Sequence, residues 1–320
     1  MQGLHFPELL SPILLAALAF NAAVTHGQPA SPALGSSNPA GQFRPSASQP
    51  WPKLSLNVLV LDKAKHSFVP ADSSTFQVIE DNASQTIQSV AGPGTPVSLC
   101  LLLDDSGSAF AFRSQIDAAA LSLVKSLPPG SEVMLVLFSD QAFLDVKFTP
   151  AVGFGPEAFQ YQQSRGGTAM RDAIVASENY IVQSAHYQRR ALVLISDGVD
   201  NASHLNLAQT KRAMQLPGGP VFYALHLTNK LSMGELNPSW SALEAIAKTA
   251  GGMVLDADGK ADLLPKAAKV SEAIADQFAL TYTSTQTARD AHLHKLEVRL
   301  PQDPARLKIQ VMSGYYAPAH

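Results

Sequence analysis

The run Val97-Ser98-Leu99-Cys100-Leu101-Leu102-Leu103-Asp104-Asp105-Ser106-Gly107-Ser108 ends an apolar segment in a carboxylate and follows it with closely spaced hydroxyls. A continuous apolar stretch bounded by polar residues suits a strand buried on both faces of a parallel sheet. Asp104, Ser106 and Ser108 then fall on the turn leaving the strand's carboxyl end, where open α/β sheets place their ligand sites. Clustered oxygen donors suit a hard divalent cation, Mg2+ or Mn2+. With so few charged ligands, a coordination position remains for a partner's carboxylate, which favours binding over catalysis.

Two later segments extend the pattern. Gly166-Gly167-Thr168-Ala169-Met170-Arg171-Asp172 offers a hydroxyl on a glycine-rich loop before a helical pattern. Arg190-Ala191-Leu192-Val193-Leu194-Ile195-Ser196-Asp197-Gly198 repeats the first design, an apolar strand ending in a carboxylate. Singly, each has an ordinary explanation: Ser and Asp cap helices, and Asp-Gly makes turns. In order, they spell D-x-S-x-S, then G-G-T, then S-D-G. From roughly Val97 to Phe278 the chain therefore resembles the von Willebrand factor type A family, whose metal-ion-dependent adhesion site carries these elements. The resemblance implies direct metal coordination by the Ser106 and Ser108 hydroxyls. It further implies that Thr168 binds directly in the partner-bound form or through water. Asp104 and Asp197 would mainly hold coordinated waters. The implied partner is a protein that donates an acidic side chain to the metal, and the implied role is non-enzymatic.

The elements that must hold such a rim follow from the hydrophobic periodicities. Helical spacing over Ala109 to Leu127 puts Phe112, Ile116, Ala120, Leu123 and Leu127 on one face, and Pro128-Pro129-Gly130 ends it. Glu132 to Ser139 and Phe143 to Phe148 read as an antiparallel edge hairpin, and Met170 to Ala185 as a helix. Helices over Leu205 to Gln215, Ser239 to Ala250 and Ala261 to Phe278 alternate with strands at Pro220 to Leu227 and Met253 to Asp256. This alternation predicts a doubly wound, mostly parallel, Rossmann-like α/β sheet covered on both faces. Period-two patterns flank it: Leu54 to Leu61, Thr75 to Glu80 and Thr86 to Val90 before, with Asp81-Asn82 as a turn, and three more strands after. Neither flank has enough strands alone, so residues 53–92 and 279–318 are expected to pair into a small β-sandwich beside residues 97–278.

A narrower likeness rests on Phe76 to Asp81, on Tyr282-Thr283-Ser284, on Lys295-Leu296-Glu297-Val298 and on Ser313-Gly314-Tyr315-Tyr316. Together with the metal motif these resemble the acidobacterial VWFA-related family, which implies a secreted or surface bacterial protein and names no ligand. The amino terminus agrees. Leu9 to Val24 is apolar and alanine-rich, too short to span a bilayer, and followed by small residues. Residues 1–27 read as a signal peptide cleaved after Gly27 or Ala19, although Met1 to Glu8 lacks the usual Lys or Arg. Residues 28–52, rich in Pro, Ser, Ala and Gly, read as a disordered linker. No stable membrane span is expected after cleavage.

Net charge is −3 and no long basic run occurs, so nothing points to nucleic acid. The single cysteine, Cys100, excludes an internal disulfide and suits a buried strand. A phosphatase built on a strand-end aspartate needs a second carboxylate two residues on, where Ser106 stands. His-Glu-x-x-His and Gly-x-Ser-x-Gly are absent, and Gly92-Pro93-Gly94-Thr95 lacks the lysine of a phosphate loop. His292 and His294 read as exposed strand-loop residues, Tyr315-Tyr316 and Trp51 as packing aromatics. Two further roles stay open: a structural role in envelope assembly, with the metal stabilising only the loops, and metal-dependent hydrolysis.

Overall fold

Eight consecutive buried residues from Val97 to Asp104 set the architecture, because a strand buried along its whole length needs cover on both faces. The structure is a computed structural model that describes residues 33–34, 51–62, 67–68, 76–159, 166–228, 238–259, 261–300 and 307–319. The expected signal peptide and most of the expected linker lie outside the described residues. Those described belong to one unit, Ser31–His320.

Along the chain come β1 (Ala33–Leu34), β2 (Lys53–Asp62), β3 (Ser67–Phe68), β4 (Gln77–Glu80), β5 (Ala83–Gln85) and β6 (Ile87–Ala91). The central segment runs β7 (Val97–Asp104), α1 (Arg113–Lys125), β8 (Glu132–Phe138), β9 (Ala142–Pro150), α2 (Met170–Ser184), β10 (Arg189–Ser196), α3 (Leu207–Ala213), β11 (Val221–Thr228), α4 (Pro238–Ala250), β12 (Met253–Asp258) and α5 (Leu263–Ala275). It closes with β13 (Phe278–Thr283), β14 (Leu293–Arg299), β15 (Leu307–Val311) and β16 (Gly314–Tyr316).

The central sheet has the order β1-β9-β8-β7-β10-β11-β12. Strands β8, β7, β10, β11 and β12 are parallel neighbours, while β9 returns antiparallel on β8 as the expected hairpin. Successive side chains point to opposite faces. Thus Leu99, Leu101 and Leu103 pack into one cluster with Ile116 of α1 and Val270 of α5. Cys100 and Leu102 enter the other, with Ile174 of α2 and Ile246 of α4. Each fully buried leucine contributes roughly 2–3 kcal/mol of apolar transfer free energy. The result is a mixed α/β fold with a mostly parallel, doubly wound sheet. The expected helix from Ala109 begins instead as a 3-10 turn, Ala109–Phe112, before α1.

The two flanks pair across the length of the chain. β2 is antiparallel to β13 and β15, β13 to β6, and β14 to β4 and β16. One apolar cluster draws on both resulting sheets, with Leu54, Leu56 and Leu280 from one and Val78, Val298 and Tyr315 from the other. The Asp81-Asn82 turn has positive φ at both residues (46° and 69°), which matches the right-handed twist of a tight hairpin. Beyond it a short strand, β5, precedes the expected strand over Thr86 to Val90, which is β6. β5 folds back on β4, then β6 joins β13 in the other sheet. His294 corrects its expectation: its side chain is only 9% exposed, stacked on Tyr315, with Nδ1 2.7 Å from Asp81 Oδ2. Burial of Tyr315 beneath it follows from the Tyr315 hydroxyl donating to Glu80 Oε1 at 2.6 Å.

On the buried face of α2 lies Glu178, fully buried, with no hydrogen bond to either carboxylate oxygen. Burial raises its pKa well above the ordinary value, and nearby Arg190 only partly offsets this. The folded state therefore holds this proton at a pH where the unfolded chain has released it. Stability contributed by the protonated group is complete below about pH 4.5, then falls as pH rises towards the higher folded pKa. Glu178→Gln is expected to flatten that part of the stability–pH curve in urea titrations. An unchanged slope would assign the loss to other groups.

Candidate metal centre

Because β7, β8 and β10 are parallel neighbours, their carboxyl ends lie on one rim of the sheet. Asp104 closes β7 there, and its burial (2% exposed) demands hydrogen-bond partners. Oδ1 accepts the Ser106 backbone N–H at 2.9 Å, and Oδ2 accepts the Ser196 hydroxyl at 2.5 Å. Ser196 ends β10, and its Oγ in turn accepts the Gly198 N–H at 3.0 Å. The ends of the two motif strands are thus laced through one carboxylate and one hydroxyl. Ser106 Oγ, buried, stands 3.2 Å from the Oγ of exposed Ser108.

The third loop is held by its backbone. Ala169 N–H donates to the Ser139 carbonyl, just past β8, at 2.6 Å. Thr168 N–H donates to Asn201 Oδ1 at 2.7 Å, and the Thr168 carbonyl accepts the Asn201 and Ala202 N–H groups at 3.1 and 3.2 Å. Thr168 is therefore tied to the loop that follows Asp197, and is itself buried (2% exposed). Among the described residues no hydrogen bond joins its hydroxyl to Ser106 or Ser108. The Gly167 N–H donates to the carboxylate of Asp140, which lies just past β8.

Asp197 is half-buried, with Oδ1 accepting the Val199 N–H at 3.2 Å. Burial pushes the Asp104 carboxyl up to about 6, with the Asp197 charge adding to the shift and the Ser106 and Ser196 hydrogen bonds opposing it. Neither aspartate has an ion-pair partner among the described residues. Asp105 differs. It pairs with Arg113, whose guanidinium also lies 4.9 Å from the Phe110 ring centroid, although burial still raises the Asp105 pKa to about 7. Asp105 therefore serves the start of α1 rather than the hydroxyl cluster.

Sequence reasoning missed several supporting groups. His226 of β11 is 1% exposed; its Nε2 lies 3.0 Å from the Asp197 carbonyl oxygen and its Nδ1 3.1 Å from Asp256 Oδ1. Whichever nitrogen carries the proton, an acceptor faces it, and the Asp197 loop is braced from the neighbouring strands. Its pairing needs the β10-β11-β12 order, which no local pattern carries. Ser196 could have been found, since equal-length motif strands in register set it beside Asp104. Gly198 packs on the same ring with φ +77°, and a Cβ there would lie 2.7 Å from His226 Cδ2. Gly198→Ala is expected to cost roughly 1–2 kcal/mol for the left-handed backbone alone. Denaturant unfolding at wild-type midpoint would refute the bracing.

Among the described residues, no three His, Cys, Asp or Glu side chains group as a metal site. A cation at this rim would rest on hydroxyl oxygens. The donors fit a hard cation: every candidate is oxygen, and two carboxylates repel each other with no described cationic partner.

No family model matches this chain, and no curated protein matches it. Solved structures resemble it at low identity. The conserved hypothetical protein BatB from Bacteroides thetaiotaomicron is 17% identical, covering 55% of this chain and 98% of its own, with TM-score 0.41. A von Willebrand factor type A structure from Catenulispora acidiphila is 12% identical over 85% of this chain and 75% of its own, with TM-score 0.45. The pilus adhesin SpaC from Lactobacillus rhamnosus GG, in an open conformation, is 11% identical over 78% and 48%, also at TM-score 0.45.

Proposed function

We propose that the chain is a secreted or cell-surface, non-enzymatic binding protein of von Willebrand factor type A kind, whose β7–β10 rim holds Mg2+ or Mn2+. Ser106 and Ser108 bind the ion directly, Thr168 directly or through water, and Asp104 and Asp197 through waters. The observation that carries this reading is Asp104. Its oxygens take up the Ser106 N–H and the Ser196 hydroxyl, which orients the first loop against the second and leaves the Ser106 and Ser108 hydroxyls 3.2 Å apart. When bound, the cation supplies Lewis-acid coordination to an incoming carboxylate. The chain's own residues do the rest: Ser196 and His226 hold the Asp197 loop, Asn201 holds Thr168, and burial keeps the lower part of the rim dry.

A partner's acidic side chain then gains a charge-assisted bond in a partly desolvated site. The two flank sheets, sharing one apolar cluster, form a β-sandwich that carries this unit. Calorimetric titration with Mn2+, in chelator-treated protein, tests the site directly. No heat of binding at any accessible concentration would end the proposal. Stability that depends on metal, without metal-dependent capture of an acidic protein surface, would favour the structural role instead.

A further inference from the structure

We propose that the cleft between α4, β12 and β15 is a docking groove for an extended acidic segment of a partner protein, bound by strand addition. The cleft has a volume of about 960 Å3 and lies away from the metal rim. That size falls within the roughly 300–1,000 Å3 of built ligand sites. Strand β12 is the terminal strand of the central sheet, and β15 is the terminal strand of the five-stranded flank sheet. Each presents a row of backbone N–H and C=O groups that no described strand pairs, the template that strand addition uses. Met253 and Val254 of β12 and Ile309 of β15 all line the cleft, so the two terminal strands border one space.

The groove is preformed. At one end the Gly251 backbone abuts β15 so closely that a Cβ would lie 2.5 Å from the Val311 carbonyl carbon, and Ser313 N–H donates to Thr249 carbonyl at 3.3 Å. Its polar content then selects the occupant. Among the described residues, Lys211, Lys248 and Lys308 line it against one acidic residue, Glu244, in a chain whose net charge is −3. None of these lysines has an ion-pair partner among the described residues. Gln310 Oε1, also lining the cleft, is buried without a hydrogen-bond donor, and an incoming backbone N–H would supply one.

Other occupants fit less well. Residues Gln28 to Pro52 of this chain contain no Asp or Glu, so they do not complement three lysines. Among the described residues, no Phe, Tyr or Trp lines the cleft to stack on bases, as single-stranded nucleic acid would require.

The test uses the full mature chain in excess chelator, which silences the metal rim, and a fluorescent peptide of alternating Glu and Val. Saturable anisotropy is expected, with slowed amide exchange within residues 253–258 and 307–311. The matching Lys-Val peptide is expected not to bind. Changing Lys211, Lys248 and Lys308 together to Ser, all on solvent-accessible faces, should weaken binding roughly tenfold. Absence of saturable binding, equal binding of both peptides, or unchanged affinity in the triple variant would overturn the proposal. Exchange slowed only outside the two edges would do the same.

Discussion

Replacing Ser106 and Ser108 together by alanine is expected to weaken Mn2+ binding by at least roughly 100-fold while leaving the fold intact. Loss of even one supporting partner typically costs about 10–100-fold in metal affinity, and here two direct oxygen donors go. The fold should survive because the bond that Ser106 gives to Asp104 comes from its backbone N–H, which alanine retains. Titration calorimetry reads the affinity, and thermal unfolding supplies the companion test. A cation at about 100 times its Kd stabilises the native state by roughly 2.7 kcal/mol, so chelator should lower the wild-type midpoint and leave the variant's unchanged. Equal Mn2+ affinity in the two proteins would remove the hydroxyls from the site.

The second large effect lies at the opposite rim. Arg189 opens β10, is fully buried, and donates to the carbonyls of Ile274 at 2.5 Å and Ala275 at 2.7 Å, as well as to the Thr95 carbonyl. Ile274 and Ala275 end α5, so the guanidinium satisfies carbonyls that a helix end leaves open and sits at the negative end of its dipole. Burial lowers the Arg189 pKa to about 10, and the side chain stays charged at neutral pH. Arg189→Met removes the charged donor from the buried Ile274 carbonyl, which keeps only the Gln277 N–H at 3.4 Å, and from the part-buried Ala275 and Thr95 carbonyls, and should destabilise the protein by roughly 1–3 kcal/mol in urea unfolding. Mn2+ affinity of the folded variant should be unchanged, since the metal rim is about 23 Å away at 3.3 Å per strand residue. A loss below about 1 kcal/mol, the worth of one ordinary hydrogen bond, would show that water reaches those carbonyls.

These two sites also mark where sequence reading succeeds and stops. The alternation of strands and helices was legible because the innermost strands, β7, β8 and β10, each carry a long apolar run and helices such as α1 carry a one-sided stripe. Val97 to Leu103 shows this, splitting between the two clusters by simple alternation. The hydroxyl-and-carboxylate rim was legible as chemistry, since the residue types and their strand-end positions are local. Arg189 was not. Next to Arg190 and before an apolar run it looks like a strand-flanking surface cation, and only the return of α5 places carbonyls around it. His294 misled in the same way: its alternating polar strand suggested exposure, whereas pairing of β14 with β16 set it on Tyr315.

By itself, then, the order of residues determined which segments are strands or helices and which side chains offer oxygen at strand ends. Those properties depend on neighbours a few positions away. Tertiary structure alone decided that Arg189 meets the end of α5, that His226 braces Asp197, and that β5 and β6 part into different sheets. Each of these depends on elements meeting across 29 residues of chain or more, and side chains so far apart acquire partners only when the sheet order is set.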